Sequence, residues 1–540
     1  MNARLPILLL LAVLLLAGIL SAPAYGLSWD EPLFYDYAES IPRAYQGWDR
    51  LDESVYSRSP ADHKYYGPAY LLLGRPIKIG IQSVFGMDNA SAWHLVNFFS
   101  FILGVYFIYR LATRFLSPGL AIVTAFFFAL QPLLWGHAFI NPKDIPFMTA
   151  FLAAVALGIE WIDALAEQNR ESSPLRPSAV EASKYGSKVK IQSIVKLLLA
   201  ALSLGIASAI RVIGPLAGVL IFIYFLTTFL RNPKSLWPRP TIHLVIYTVA
   251  AVLLMVILWP FLWADPLNRL IEVLRHMSNN PTELAVLFMG QIFPANELPA
   301  RYFPQMLVLT LTEPFLPLVL LGSLRMARQI FKKQQDWNAP LVLFFWFVPL
   351  AAYNIIKVPS MYDGIRHFLF ILPPLFILAG MGIETVSGVI SQVSSGALNS
   401  KRLTFITFLV SILLLPGIFG IIRLHPYQYT YYNLLAGPTY RVYENDYWLT
   451  CYKEAVEWVH ENEPQTPLYI QREFPVAKYY ADGLDLRNLR FETLESLPND
   501  SLMVFSTRAN LDQKSVFRKM PVVHVIGRDG AEFCLIKRKE

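Results

Sequence analysis

The feature that most limits how this chain can fold is a series of apolar stretches, each long enough to cross a bilayer. A helix needs about 20 such residues to span roughly 30 Å of hydrocarbon. Eleven stretches qualify: roughly 5–25, 92–110, 119–137, 145–162, 191–210, 212–230, 241–263, 304–324, 340–357, 366–386 and 404–422. Of the 540 residues, 55% are hydrophobic and only 16% charged, against roughly 25% charged in ordinary soluble domains. A soluble multidomain enzyme, a disordered chain and a disulfide scaffold are excluded. The pattern predicts an all-α polytopic membrane bundle. The run from 191 to 230 is read as two helices divided at Arg211-Val212-Ile213-Gly214-Pro215, where Gly and Pro favour a break.

Charge distribution gives orientation. The net charge is +7, yet residues 425–540 hold 14 Lys/Arg against 16 Asp/Glu. The basic excess therefore lies in the membrane part, which points to topology and not to nucleic acid. Lys and Arg crowd the loops on one side (Arg110, Arg114, Lys184, Lys188, Arg231, Arg239, Arg325, Lys332, Lys333, Lys401 and Arg402) and thin out in the short loops opposite. That bias places the N-terminus in the cytoplasm, and an odd number of spans then puts the C-terminal tail outside. Arg4, the first apolar run and Ala22-Pro23-Ala24 also resemble a signal peptide; cleavage there would leave every later orientation unchanged.

Two regions lie outside the membrane. The first outer loop, 26–91, contains Tyr70–Val84, a shorter apolar stretch broken by Arg75 and Lys78, expected as a helix lying in the interface. The tail, 425–540, opens on an aromatic run at Tyr427–Tyr432 and then alternates strand-like segments (467–471, 502–506, 522–526, 533–536) with helical ones (452–460, 510–519). It reads as a small extracytoplasmic α/β domain following a transmembrane domain of residues 1–424. The Ser-, Pro- and Lys-rich segment 163–190 is expected as a cytosolic linker. Cys451 and Cys534 both lie in the tail, where a disulfide and two free thiols are both open.

Ionisable residues inside or beside a membrane bundle mark function, and here they collect on the outer side. Asp30-Glu31 follows the first span; His137, Lys143 and Asp144 mark the third outer turn; Arg211, Lys357, Asp363, Arg366 and His367 follow further along. Arg and Lys suit a phosphate, and a carboxylate suits proton transfer. Each has a plainer reading. Asp144, before Ile145-Pro146, suits a helix N-cap; Lys357 and Arg366 suit snorkelling to the interface; His367 alone suits a structural role. Glu313-Pro314, deep in the eighth span, is either functional or lies nearer the surface.

Around these residues the chain resembles the C-type polytopic glycosyltransferases, specifically the dolichyl-phosphate-mannose-protein mannosyltransferase-like group (family 39), whose superfamily includes the aminoarabinose transferases of lipid A. The resemblance covers about 1–425 and rests on Asp30-Glu31, on Lys64-Tyr65-Tyr66-Gly67-Pro68-Ala69-Tyr70, on Lys143-Asp144-Ile145-Pro146-Phe147, and on Arg366-His367-Phe368 leading to Pro373-Pro374. The eukaryotic members carry a β-trefoil insert that no loop here can hold, which favours a prokaryotic plasma membrane. The Lys64-to-Pro68 spacing is looser than the Lys-Pro-Pro of bacterial relatives, and the tail matches no soluble part of the best-known members.

The resemblance implies a GT-C-like bundle, a polyprenyl-phosphate-sugar donor, and a protein, lipid or glycan acceptor. It implies inversion in a single displacement at the outer face. Asp30, with Glu31 beside it, would take the acceptor proton. Arg366, Lys143, Arg211, His367 and Lys64 would hold the donor phosphate, with Asp144, His137, Asp363 and Lys357 as further site residues. Such cations let the site work with no tightly bound cofactor, although Asp144 and Glu31 could hold a divalent cation. The competing reading is a polytopic transporter or flippase of a lipid-linked or amphipathic anion, for which paired repeats and broken midplane helices would be expected.

Overall fold

The structure is a computed structural model. It describes residues 5–46, 63–171, 182–230, 238–278, 282–332, 337–393, 399–489, 496–513 and 517–540. Helices dominate up to residue 423. The first is α1 (Leu5–Ser21), followed in the first long loop by α2 (Glu31–Ser40) and α3 (Ala69–Phe85). Helix α3 carries the interfacial stretch expected near 70–84. Then come α4 (Asn89–Ala112), α5 (Pro118–Ala129), α6 (Pro132–Ile140), α7 (Asp144–Glu171), α8 (Ala182–Ser208), α9 (Pro215–Phe229) and α10 (Pro238–Ile257). A non-spanning segment follows, with amphipathic α11 (Pro266–Ser278) and the hairpin β1 (Ala285–Phe288) and β2 (Gln291–Pro294), none of them anticipated. The bundle closes with α12 (Tyr302–Thr310), α13 (Phe315–Phe331), α14 (Asn338–Lys357), α15 (Pro373–Val393) and α16 (Asn399–Arg423).

Among the described residues, five helices are long and apolar enough to cross a membrane singly, two bent pairs do so together, and four apolar helices are shorter. These eleven units fall on the eleven stretches read from sequence. Helix α7 is the hub and packs against α4, α8 and α9. Helices α1 and α10 instead turn rows of large apolar side chains outward, such as Leu9, Val13 and Leu16, and Ile242, Val249 and Leu253. In water such rows would be costly; against lipid they are the expected surface.

Two spans are not straight. Helices α5 and α6 meet at 62°, and α12 and α13 at 113°. Pro132 and Pro314 open the second member of each pair, where a missing N–H does no harm. The two breaks are tied together, since Gln131 Nε2 donates to Thr312 Oγ1 at 2.9 Å and Gln131 Oε1 accepts from the Thr312 amide at 3.3 Å. The break also settles Glu313. Its carboxylate accepts from the Leu434 amide at 2.8 Å and Tyr431 OH at 3.5 Å, so it anchors the start of the tail.

Segment 163–190 also differs from expectation. Helix α7 continues to Glu171 and α8 begins at Ala182, so helix takes up most of the segment read as a linker. Asp163 explains part of this, because Arg114 Nε lies 2.8 Å from it and Tyr224 OH donates to it at 2.6 Å.

The tail contains α17 (Tyr452–Asn462), β3 (Leu468–Ile470), α18 (Phe474–Tyr480), β4 (Leu486–Asn488), β5 (Leu502–Ser506), β6 (Val522–Arg528) and β7 (Ala531–Arg538). The sheet order is β4-β3-β5-β7-β6, parallel across the first three strands and antiparallel thereafter. The helix expected at 510–519 is instead a turn at Arg508–Gln513, with Ala509 and Asn510 at positive φ. Cys451 and Cys534 form a buried disulfide joining the start of α17 to β7. The tail does not sit apart from the bundle. Its buried residues, such as Trp448, Val456, Ile470 and Phe533, belong to the same apolar core as the helices. Two glycines show the closeness: a Cβ on Gly136 of α6 would lie 2.1 Å from the Tyr429 amide nitrogen, and one on Gly26 would lie 2.2 Å from the Thr450 carbonyl oxygen.

Candidate active site

Each ionisable residue of the cluster expected from sequence sits at the end of an element. Asp30 immediately precedes α2, Lys143 and Asp144 open α7, and Arg211 occupies the turn between α8 and α9. Arg366 begins a tight helical turn (Arg366–Ile371) that leads into α15. The packing of the bundle brings these ends together. Lys143 Nζ lies 2.6 Å from Asp30 Oδ2, and Arg366 Nη1 lies 3.7 Å from the same oxygen and 3.5 Å from Asp144 Oδ2. Arg211 pairs with the other Asp144 oxygen. Asp363 faces Arg366 Nη2 at 3.0 Å.

Asp144 is not the helix cap. Asn141 accepts from the Lys143 and Asp144 amides at 3.2 and 2.9 Å and donates to Asp144 Oδ2 at 2.7 Å. With Asn141 serving the backbone, the Asp144 carboxylate is left for two arginines. Arg366 does not snorkel either. It is 1% exposed and its guanidinium lies 4.4 Å from the Trp448 ring and 4.9 Å from the Tyr362 ring, within reach of a cation–π attraction. Lys143 similarly faces the rings of Phe34 and Tyr66.

The cluster has an open side. Asp30, Arg211 and Lys143 keep 18%, 17% and 10% of their side chains exposed, whereas Asp144, Asp363 and Arg366 keep almost none. Burial pushes the Asp30 carboxyl up, but Lys143 and then Arg366 outweigh it and hold the group below the usual carboxylate range.

Among the described residues, the others named from sequence make no direct ion pair with these six, although His137 and His367 lie close enough to feel the charges of Asp144 and Arg366. Glu31 is fully buried and turned inward, accepting from the Ser28 amide at 2.6 Å and Tyr35 OH at 2.6 Å, with His94 Nε2 at 3.2 Å. Adjacent residues at a helix start point in different directions, so the Asp-Glu pair divides its work. Glu31 and Asp144 consequently share no partner as a joint cation site. Among the described residues, Asp446, Cys451 and Cys534 are the one His/Cys/Asp/Glu trio with converging ligand atoms, and both sulfurs are in the disulfide. His137 is buried behind the cluster, with Nε2 3.1 Å from Tyr447 OH and Nδ1 3.3 Å from Asn141 Nδ2. It ties α6 to the tail. His367 rests its ring against Tyr362 at 4.7 Å. Lys64 lies over the rings of Tyr65 and Phe261. Lys357 ends α14 on its exposed face, because Val358 turns the chain through a left-handed residue.

The tail supplies what the sequence did not reveal. Arg508, following β5, is 1% exposed and places Nη2 2.7 Å from Asp363 Oδ1. It donates from Nη1 to the Tyr447 carbonyl at 2.8 Å and lies 3.8 Å from Glu444. Burial pushes the Glu444 carboxyl up to about 8 against the pull of Arg508, and Asp363 adds to the rise. Trp448 covers Arg366 and accepts from the Trp29 amide at 3.2 Å through its carbonyl. No sequence motif marks these residues, since each is isolated among ordinary tail residues.

Solved structures share this architecture along nearly the whole chain. ArnT from Cupriavidus metallidurans in the apo state superposes with a TM-score of 0.50 over 98% of this chain and 97% of its own, at 14% identity. The oligosaccharyltransferase of Archaeoglobus fulgidus in the apo form gives a TM-score of 0.51 at 12% identity, over 88% of this chain. The chain has the GT-C fold. The archaeal oligosaccharyltransferase AglB from the same organism, in complex with an inhibitory peptide and a dolichol-phosphate, gives 0.50 at 12% identity. The chain spans 64% of the length of each archaeal structure, so part of each has no counterpart here. No protein-family model matches the sequence, and no curated protein matches it. The GT-C fold was expected from four short motifs, and the structural likeness carries it through the tail as well.

Proposed function

We propose that this chain is an integral membrane glycosyltransferase that moves a sugar from a polyprenyl-phosphate donor to an acceptor hydroxyl at the outer face of the membrane. The observation that carries this reading is the partly open Asp30 carboxylate held between Lys143 and Arg366, at the membrane edge of a GT-C fold. One member of that fold, AglB, is seen with a dolichol-phosphate.

The acceptor oxygen attacks the anomeric carbon while the bond to the phosphate oxygen breaks, and the electron pair leaves with the phosphate. A single displacement inverts the anomeric centre. Asp30 takes the hydroxyl proton. Lys143, Arg211 and Arg366 stabilise the charge that grows on the phosphate, most strongly where water is excluded.

This assignment explains why the base is held in a weakly basic state. Lys143 and Arg366 depress Asp30, and a phosphate bound to the same cations would offset their charge. Asp30 would become a better base only with donor in place. An apolar groove of about 310 Å³ begins beside the cluster at Pro146 and Ile210 and runs along Ala150, Phe99, Tyr70 and Ile77. It suits the polyprenyl tail.

The same reading places the tail of 425–540 outside, the N-terminus in the cytoplasm and the protein in a prokaryotic plasma membrane. The test is release of free polyprenyl phosphate from polyprenyl-phosphate sugars by the protein in lipid vesicles. Release dependent on an acceptor supports transfer. Movement of the intact donor across the vesicle without release supports a transporter instead.

A further inference from the structure

Asp363 is fully enclosed, and a guanidinium lies on each side of its carboxylate. Arg366 from the bundle approaches Oδ2 at 3.0 Å and Arg508 from the tail approaches Oδ1 at 2.7 Å. Arg508 is held by the Tyr447 carbonyl at 2.8 Å and by the Trp29 ring 5.0 Å from its guanidinium carbon. Its turn is anchored in addition by Arg441, which donates to Asp512 Oδ2 at 2.7 Å and Asn510 Oδ1 at 3.2 Å. The backbone on both sides of this contact is left-handed: Asp363 at φ 58° and Gly364 at 68°, Ala509 at 49° and Asn510 at 54°. Asp and Asn enter that region more readily than other residues, but Ala509 does so at a cost, and such places concentrate at functional sites.

The consequence concerns Arg366. A carboxylate and an isolated guanidinium favour a two-pronged pair. With both oxygens of Asp363 available, Arg366 would turn both amino groups toward it and away from Asp30 and Asp144. Arg508 forms an ion pair at Oδ1, and Arg366 meets Asp363 through Nη2 at Oδ2. Its Nη1 stays 3.7 Å from Asp30 and 3.5 Å from Asp144. We propose that Arg508 is a positioning residue through which the tail completes the site: by occupying one oxygen of Asp363, it keeps Arg366 facing the pocket between Asp30 and Asp144 where the donor phosphate binds. This rests on the transferase reading above. It makes the tail part of the active centre.

The test uses the full chain in lipid and four variants: Arg508→Leu, Arg508→Lys, Asp363→Asn and the double variant Arg508→Leu/Asp363→Asn. Donor KM, kcat and melting temperature are measured for each. Arg508→Leu raises donor KM by at least about tenfold, in the range expected for a displaced binding group, with a smaller effect on kcat. Arg508→Lys recovers part of the loss. The double variant recovers most of it, because Asp363 no longer pulls Arg366 away. Unchanged KM in Arg508→Leu overturns the proposal. So does a double variant that regains its melting temperature but not its KM, which would show a structural contact only. If the wild type releases no polyprenyl phosphate from any donor, the transferase reading fails, and undecaprenyl phosphate becomes the probe. A melting shift on adding it to wild type, lost in Arg508→Leu and regained in the double variant, keeps the positioning role. No shift in wild type, or an equal shift in Arg508→Leu, removes it.

Discussion

The two ends of this helix bundle are charged in different ways. At one end, arginines pair with acids one to one: Arg110 with Glu160, Arg114 with Asp163 and Arg325 with Glu384, each side chain between a quarter and about a third exposed. These pairs join α4 to α7 and α13 to α15, and removing any one would leave the others intact. At the other end the buried groups are shared. Arg366 serves Asp30, Asp144 and Asp363; Asp144 serves Arg211 and Arg366; Asp363 serves Arg366 and Arg508. Partly exposed pairs contribute little to stability. A shared buried network is costly to assemble and strongly destabilising to break. Stability alone accounts for the first end; the second fits the donor-phosphate site proposed above.

Substitutions at the two ends should separate these roles. The largest effect is expected for Asp30→Asn, with turnover falling on the order of 10²–10⁴-fold, as for loss of a general base, and the melting temperature falling less than for loss of Arg366, because Asp30 is the more exposed member of the pair. Arg366→Ala should come next. It removes donor binding and turnover together, and it leaves Asp363 and Asp144 buried with less compensation, a loss of about 3–5 kcal/mol in unfolding free energy. Glu444→Gln should act through pH. Between the ordinary carboxyl value and about 8, the folded state holds a proton on Glu444 that the unfolded state has released, so stability falls as pH rises through that window. The variant should flatten the fall, read from melting temperatures at a series of pH values. Arg325→Gln at the opposite end should change stability by no more than about 1 kcal/mol and leave turnover as it was. An equal loss of turnover from Arg325→Gln and Arg366→Ala would erase the distinction between the ends.

The parts of this arrangement that were readable from sequence share a cause. Apolar length is local, so each of the eleven apolar stretches falls on a helix or a bent pair, although the 62° and 113° breaks and the Gln131–Thr312 contact that ties them were not read. Asp30, Lys143, Asp144, Arg211, Asp363 and Arg366 were found because each lies at a helix end or in an outer turn. The same reasoning named Glu31, Lys64 and Lys357, which those elements turn elsewhere, and His137 and His367, which lie beside the cluster without pairing directly with its charges. Direction at a helix end depends on packing, and one residue of phase separates Asp30 from Glu31. Arg508, Glu444 and Trp448 were missed for a different reason. They reach the site only because the tail docks on α6 and the first outer loop, through close approaches such as Gly136 to Tyr429. No local pattern encodes that docking.

The most direct test of the central claim is donor binding set beside single-turnover release of polyprenyl phosphate, in wild type and Asp30→Asn. If Asp30 is the base in a site whose cations hold the phosphate, the variant binds donor at least as tightly, since a carboxylate is removed beside Lys143 and Arg366, while release slows on the order of 10²–10⁴-fold. Release at the wild-type rate from Asp30→Asn, or binding lost together with release, would contradict the account.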